Sequence, residues 1–155
     1  MNVGFVGLGI MGRPMALHLI EAGHKLFVYD KFTAPAEAKA KGATVCGSAK
    51  EVAQKSDVII VMVPDTPDVK AALFDADGIA AGLSKGKTVV DMSSISPIET
   101  KEFAKQVNEL GCDYLDAPVS GGEVGAKAAS LTIMVGGPEK AFERVKPLFE
   151  KMGKN

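Results

Sequence analysis

Residues 2–12 read NVGFVGLGIMG, and the fold turns on how this stretch is divided. An apolar run through Val6 meets three glycines, Gly7, Gly9 and Gly12, in the spacing G-x-G-x-x-G. From about Met11 to Ala22 the pattern becomes helical. Gly12, Met15, Ala16, Leu19 and Ile20 share one face, and Arg13 and Glu21 lie elsewhere. The bare glycine pattern is weak, because a glycine-rich chain produces it by chance. Between a strand and a helix it marks the first half of a βαβ unit.

Outward from this unit the alternation continues. Strands are expected over 2–7, 25–30, 44–47, 57–64, 87–93, 112–119 and 131–137. The run at 57–64 is apolar throughout, as in a strand covered on both faces. Helices are expected over 34–41, 48–55, from Thr66–Pro67 onward, over 96–110 and over 138–152. Ser48 with Glu51, and Ser96 with Glu99, have capping-box spacing, and Pro147 should kink the last helix or end it early. Strands alternating with helices define an α/β fold, a doubly wound, mainly parallel Rossmann sheet with helices on both faces.

The 155 residues suffice for one buried core, so 1–155 is read as a single domain. A net charge of −1, with signs scattered, argues against nucleic acid or an acidic membrane as partner. Cys46 and Cys112 lack metal-type spacing and read as buried thiols of a reducing, cytoplasmic compartment. No basic segment precedes the first apolar run, and no run is long enough to span a bilayer, so neither signal peptide nor membrane segment is expected.

Each glycine of the turn has a distinct task. Gly7 permits the tight turn, Gly9 lets the backbone approach a diphosphate, and Gly12 allows close helix–strand packing. The segment Gly7, Leu8, Gly9, Ile10, Met11, Gly12 would hold that diphosphate at a helix N-terminus. Asp30, 18 positions beyond Gly12, stands where an acid accepts hydrogen bonds from adenosine ribose hydroxyls and repels a 2′-phosphate. The cofactor indicated is NAD, with NADP allowed because Lys31 offers a neighbouring cation.

In open α/β sheets ligands collect beyond the carboxyl ends of the strands. Val63 and Pro64 there either line the nucleotide or form a plain strand-to-helix turn. Ser93 and Ser94 either offer hydroxyls to a ligand or serve local turns. Ser120, Gly121 and Gly122 can direct several N–H groups to one point, a pocket for a small carboxylate, or else form a flexible connection. His18, His24 and Lys127 read as surface residues. No metal-ligand set and no nucleophile–base pair is visible, so no catalytic residue is assigned.

Taken together, GFVGLGIMGRPMA (4–16), MVPDTPDV (62–69), VVDMSSISPIETK (89–101), DYLDAPVSGGEVGA (113–126) and SLTIMVGG (130–137) resemble the β-hydroxyacid dehydrogenase family. That family holds 3-hydroxyisobutyrate dehydrogenase, tartronate semialdehyde reductase and 6-phosphogluconate dehydrogenase. Residues 91–101 and 106–123 look closest to the tartronate semialdehyde (2-hydroxy-3-oxopropionate) reductase branch. The resemblance implies nicotinamide-dependent reduction of tartronate semialdehyde to glycerate, with 3-hydroxyisobutyrate dehydrogenase as the alternative. It implies that Val63 and Pro64 pack along the cofactor, that Ser94 lies near the nicotinamide, and that Ser120, Gly121 and Gly122 hold the substrate carboxylate.

Two departures from the family bear on this. Ala129 stands where the family usually has glycine, so a loop requiring positive φ there would be strained. Family members also continue into a helical domain that carries the catalytic lysine and most of the dimer contact. That lysine would lie beyond Asn155. The expectation is a cofactor-binding domain, inactive alone, from a protein that is homo-oligomeric at full length. A stand-alone dinucleotide-binding module is the competing reading.

Overall fold

The computed structural model describes residues 1–31 and 36–154. Its centre is a six-stranded sheet built from β1 (Asn2–Val6), β2 (Lys25–Tyr29), β3 (Thr44–Val45), β4 (Val58–Val61), β5 (Thr88–Asp91) and β6 (Asp113–Asp116). The strand order is β3-β2-β1-β4-β5-β6, and every adjacent pair is parallel. The order reverses between β1 and β4, which places a crevice at their carboxyl ends.

Period-2 alternation explains why β4 is apolar throughout. Val58 and Ile60 join one core cluster, with Met15 and Leu19 of α1 (Gly12–Glu21). Ile59 and Val61 join the other, with Val52 of α3 (Ala49–Lys55) and Val69 of α4 (Thr66–Phe74). All four strand residues are fully buried, one pair under each helical layer. The second layer also includes α5 (Ile79–Gly82) and α6 (Pro97–Glu109), through Ile79 and Phe103. Of the helix expected over 34–41, the structure describes α2 (Ala36–Ala40), and 34–35 lie outside the described residues.

Several local expectations need correction. The stretch after Ser120 is no flexible loop, because Gly122–Ala128 forms helix α7. The strand expected over 112–119 divides into β6 and β7 (Val119–Ser120), and that over 131–137 shortens to β8 (Thr132–Ile133), which pairs antiparallel with β7 apart from the main sheet. Helix α8 (Glu139–Met152) runs past Pro147 without ending. Pro147 and Glu143 both lie on the exposed face of the helix. Val145, Leu148, Phe149 and Met152 meanwhile hold the helix on the core.

The capping boxes also differ from expectation. Ser48 accepts the Glu51 N–H at 3.1 Å, but the Glu51 carboxylate takes the Gly47 N–H at 2.7 Å instead of that of Ser48. Ser96 makes no side-chain cap at all. Its N–H, which Glu99 was to accept, donates to the Thr66 hydroxyl at 3.3 Å. The complete box belongs to α4. There Asp65 accepts from Thr66 N–H at 2.7 Å, and Asp68 accepts from Asp65 N–H at 3.1 Å.

Candidate functional site: a dinucleotide cleft

Gly7 follows β1 with φ 104, and its N–H donates to Tyr29 O at 3.0 Å. A Cβ on Gly7 would stand 2.1 Å from Met62 O, and one on Gly12 would stand 2.0 Å from Gly7 O. Neither neighbour can give way, because both are backbone atoms. Both glycines are therefore required by the path of the chain. Gly9 is different: nothing lies within 4 Å of its would-be Cβ, so open space faces the backbone there. Helix α1 carries no side-chain cap and no acid in its first turn. Arg13 N–H donates to Gly9 O at 3.0 Å and Pro14 has none, so the Gly12 N–H and the helix dipole are what the first turn offers an anion.

Asp30 follows β2 and accepts the Leu8 N–H through Oδ2. The Leu8 side chain is buried in the core, so Leu8 contributes its backbone to the turn. From here a cleft of about 720 Å³ runs along the carboxyl ends of the strands, a size suited to a cofactor. Gly7, Gly9, Ile10, Met11, Gly12 and Asp30 line one wall, and Val63, Pro64 and Ser94 line another. Gly122 and Val119 close the far end. Ser120 and Gly121 are exposed and do not line the cleft. Gly121 (φ 131) and Gly122 (φ 60) turn the chain into α7.

Sequence reasoning missed a third wall. Gly47 and Ser48 in the β3–α3 turn line it, with Asp68 and Ala71 of α4 and the nearby Asp75 and Asp77. The turn at Gly47–Ser48 follows a strand, and that was the available signal. Nothing in the sequence showed which face of α4 would point inward. Asp30, Asp68, Asp75 and Asp77 thus all line the cleft, as does Lys31 next to Asp30.

Behind the Val63 wall lies a buried polar network. Asp91 is fully buried; its Oδ1 accepts Ser93 N–H at 2.9 Å and its Oδ2 accepts Tyr114 OH at 3.1 Å. The Ser93 hydroxyl accepts Val63 N–H at 2.9 Å. Burial pushes the Asp91 carboxyl up to about 6, against the bonds donated by Ser93 and Tyr114. Such a value suits acid–base work, but Asp91 has no exposure through which to perform it. Ser93 is likewise fully buried, so of the two serines only Ser94 faces the cleft.

His18 is more than a surface residue. Its Nε2 lies 2.9 Å from Ala126 O and 3.0 Å from Lys127 O, so it ties α1 to the last turn of α7. Lys127 is exposed and pairs with Glu123 at 2.9 Å. Among the described residues no helix is long and apolar enough to cross a membrane, and no three His, Cys, Asp or Glu side chains cluster as metal ligands.

A glycine turn with these clearances, an acid at the end of β2 and a cleft at the switch point define a dinucleotide-binding domain of the Rossmann type. Residues 2–155 match a family described as the NAD binding domain of 6-phosphogluconate dehydrogenase, and the chain belongs to that family. It is 59% identical over 155 residues to 2-hydroxy-3-oxopropionate reductase of Escherichia coli, covering all of this chain and 53% of the reductase. A solved 3-hydroxyisobutyrate dehydrogenase of Mycobacterium tuberculosis, with L-serine, superposes with TM-score 0.90 at 38% identity; the match covers 98% of this chain and 52% of that one. The protein Psf3, solved with NADP+, superposes with TM-score 0.92 at 29% identity, covering 97% and 54%. The chain thus spans about half the length of the relatives it matches.

Proposed function

We propose that the chain is the cofactor half of a cytoplasmic oxidoreductase that reduces tartronate semialdehyde to glycerate. The observation that carries the reading is the glycine turn, whose backbone clearances and open face at Gly9 form a cradle that side chains would fill. NAD, or NADP, would lie with its diphosphate over Gly7–Gly12 and its adenosine ribose at Asp30. Val63 and Pro64 would run along it, and Ser94 would stand at the nicotinamide end. The nicotinamide supplies hydride, and this chain's residues bind and orient it and shield it from water.

Gly122, inside the cleft, and Ser120 and Gly121 at its rim would hold the substrate carboxylate. Charge and hydrogen bonds there would set the aldehyde carbon against the nicotinamide. Among the described residues lining the cleft the lysine is Lys31, beside Asp30 at the adenosine end. By the family resemblance, the group that protonates the developing alkoxide would come from a further helical domain, which would also form the homo-oligomer. The identity of 59% supports the tartronate semialdehyde reading, and the match to 3-hydroxyisobutyrate dehydrogenase makes that substrate the alternative.

The test is to add NADH to the purified chain, follow its fluorescence, and then supply tartronate semialdehyde. Saturable binding without steady NADH oxidation is expected. Sustained oxidation would show that the chain holds its own general acid, and absence of binding would remove the cofactor reading.

A further inference from the structure

We propose that Asp91 and Ser93, neither of which can touch a ligand, are positioning residues for the nicotinamide end of the cleft. The inference rests on the cofactor reading above and goes beyond it.

The argument follows the hydrogen bonds. Met62, Val63 and Pro64 line the cleft in the turn after β4, and Ser94 lines it in the turn after β5. These two turns belong to different strands, so parallel pairing of β4 with β5 ends before either reaches the cleft: the last registered pair is Val61 with Asp91. Met92 N–H still reaches Val61 O at 2.8 Å. Beyond it Ser93 carries the connection, because its hydroxyl accepts the Val63 N–H at 2.9 Å. The serine is itself held, since its N–H donates to Asp91 Oδ1 at 2.9 Å. One carboxylate thus fixes the serine, and the serine fixes the facing wall through its lone pair.

An alternative role is purely structural, since a buried carboxylate could simply satisfy the donors around it. Tyr114 OH on Oδ2 serves that role, holding β6 to β5, and Tyr114 does not line the cleft. The Ser93 arm differs because it ends on residues that line the site. A buried charge is an odd choice for mere satisfaction, since burial and the neighbouring Asp116 both work against its ionisation. Its value lies in accepting from Ser93 and Tyr114 together, which no neutral side chain of this size does equally well.

The experiment compares NADH with ADP-ribose, which lacks the nicotinamide, in the wild-type chain and in Ser93→Ala, Asp91→Asn and Tyr114→Phe. Calorimetric titration gives affinities, and urea denaturation at the same pH gives stability. NADH affinity should fall about tenfold in Ser93→Ala and several-fold in Asp91→Asn. ADP-ribose affinity should stay within about twofold in both. Tyr114→Phe should lose stability and keep both affinities. Equal weakening of the two ligands, or affinity losses that track stability across the three variants, would assign the network a structural role only. A wild-type chain that binds neither ligand would overturn the cofactor reading itself. A wild type that binds both, with unchanged variants, would overturn only the roles given to Asp91 and Ser93.

Discussion

Ala129 closes α7 at φ 55 and ψ 39, the left-handed region in which a Cβ crowds the following carbonyl. Among the described residues it is the one non-glycine with positive φ, and the strain anticipated from its family position is present. Ala129→Gly should stabilise the chain by about 1 kcal/mol, the relief of strain less the greater backbone freedom of glycine when unfolded. Thermal denaturation should show a rise of roughly 2–4 °C; a lowered midpoint would mean that the turn favours alanine. Asp91 is the second residue whose environment predicts a measurable response. Its folded value of about 6 lies above the usual 3.8, so the folded state holds the proton more tightly than the unfolded chain. Its stabilising contribution is therefore complete below about pH 4 and is lost as pH rises through 6, a change of about 3 kcal/mol. Asparagine carries no such dependence. The stability of Asp91→Asn relative to wild type should thus climb between pH 4 and 7 in urea denaturation. A difference that stays flat over this interval would mean that the carboxyl is not held in that range.

Helix starts show which sequence signals translate into structure. Asp65 satisfies N–H groups at the head of α4 through a reciprocal box, whereas Ser96 heads α6 with no side-chain bond. Asp65→Ala should therefore cost about 1 kcal/mol, and Ser96→Ala no more than a few tenths. Comparable losses from the two would show that Ser96 caps its helix in solution. The sheet was legible because each strand is a short run whose alternate residues enter opposite cores, and periodicity reports that directly. The glycine turn was legible because backbone clearance restricts residue type, and the place of Asp30 was legible because it follows directly on β2. The box at Ser96 was misread because its N–H had a partner 30 positions away, Thr66, and no local pattern contains that partner. Helix α7 was misread for a related reason. Glycines at 121, 122 and 125 disfavour helix locally, yet Gly125 and Ala126 are buried, and the would-be Cβ of Gly125 lies 3.2 Å from Leu131. Close packing against Leu131 favours a small residue there and overrides glycine's propensity. The third wall of the cleft, at Asp68, Asp75 and Asp77, was invisible because only the fold brings α4 and its following turn over the β2 end.

At the scale of the whole molecule, the cleft has a field that its separate residues do not reveal. The chain is almost neutral, at −1, yet Asp30, Asp68, Asp75 and Asp77 all line the cleft, where Lys31 is the cation among the described lining residues. A 2′-phosphate on the adenosine ribose adds close to two negative charges at that end. At an effective dielectric near 20, each carboxylate within about 8 Å opposes each added charge by roughly 2 kcal/mol before screening. Hydrogen bonding of the ribose hydroxyls to Asp30 would favour NAD at any salt concentration, whereas repulsion from the other three would fade as the Debye length shrinks from about 10 Å to a few ångström. The two contributions can therefore be separated by thermal shift. NADH at about a hundred times its dissociation constant should add about 2.7 kcal/mol, raising the midpoint by roughly 5–10 °C. NADPH at the same concentration should raise it by less than half as much in about 0.05 M salt. Near 0.5 M salt the gap should narrow but persist. A gap that closes completely would give the preference to charge alone and leave Asp30 without a hydrogen-bonding role toward the ribose. An equal response to both cofactors in low salt would mean that Lys31 outweighs all four carboxylates.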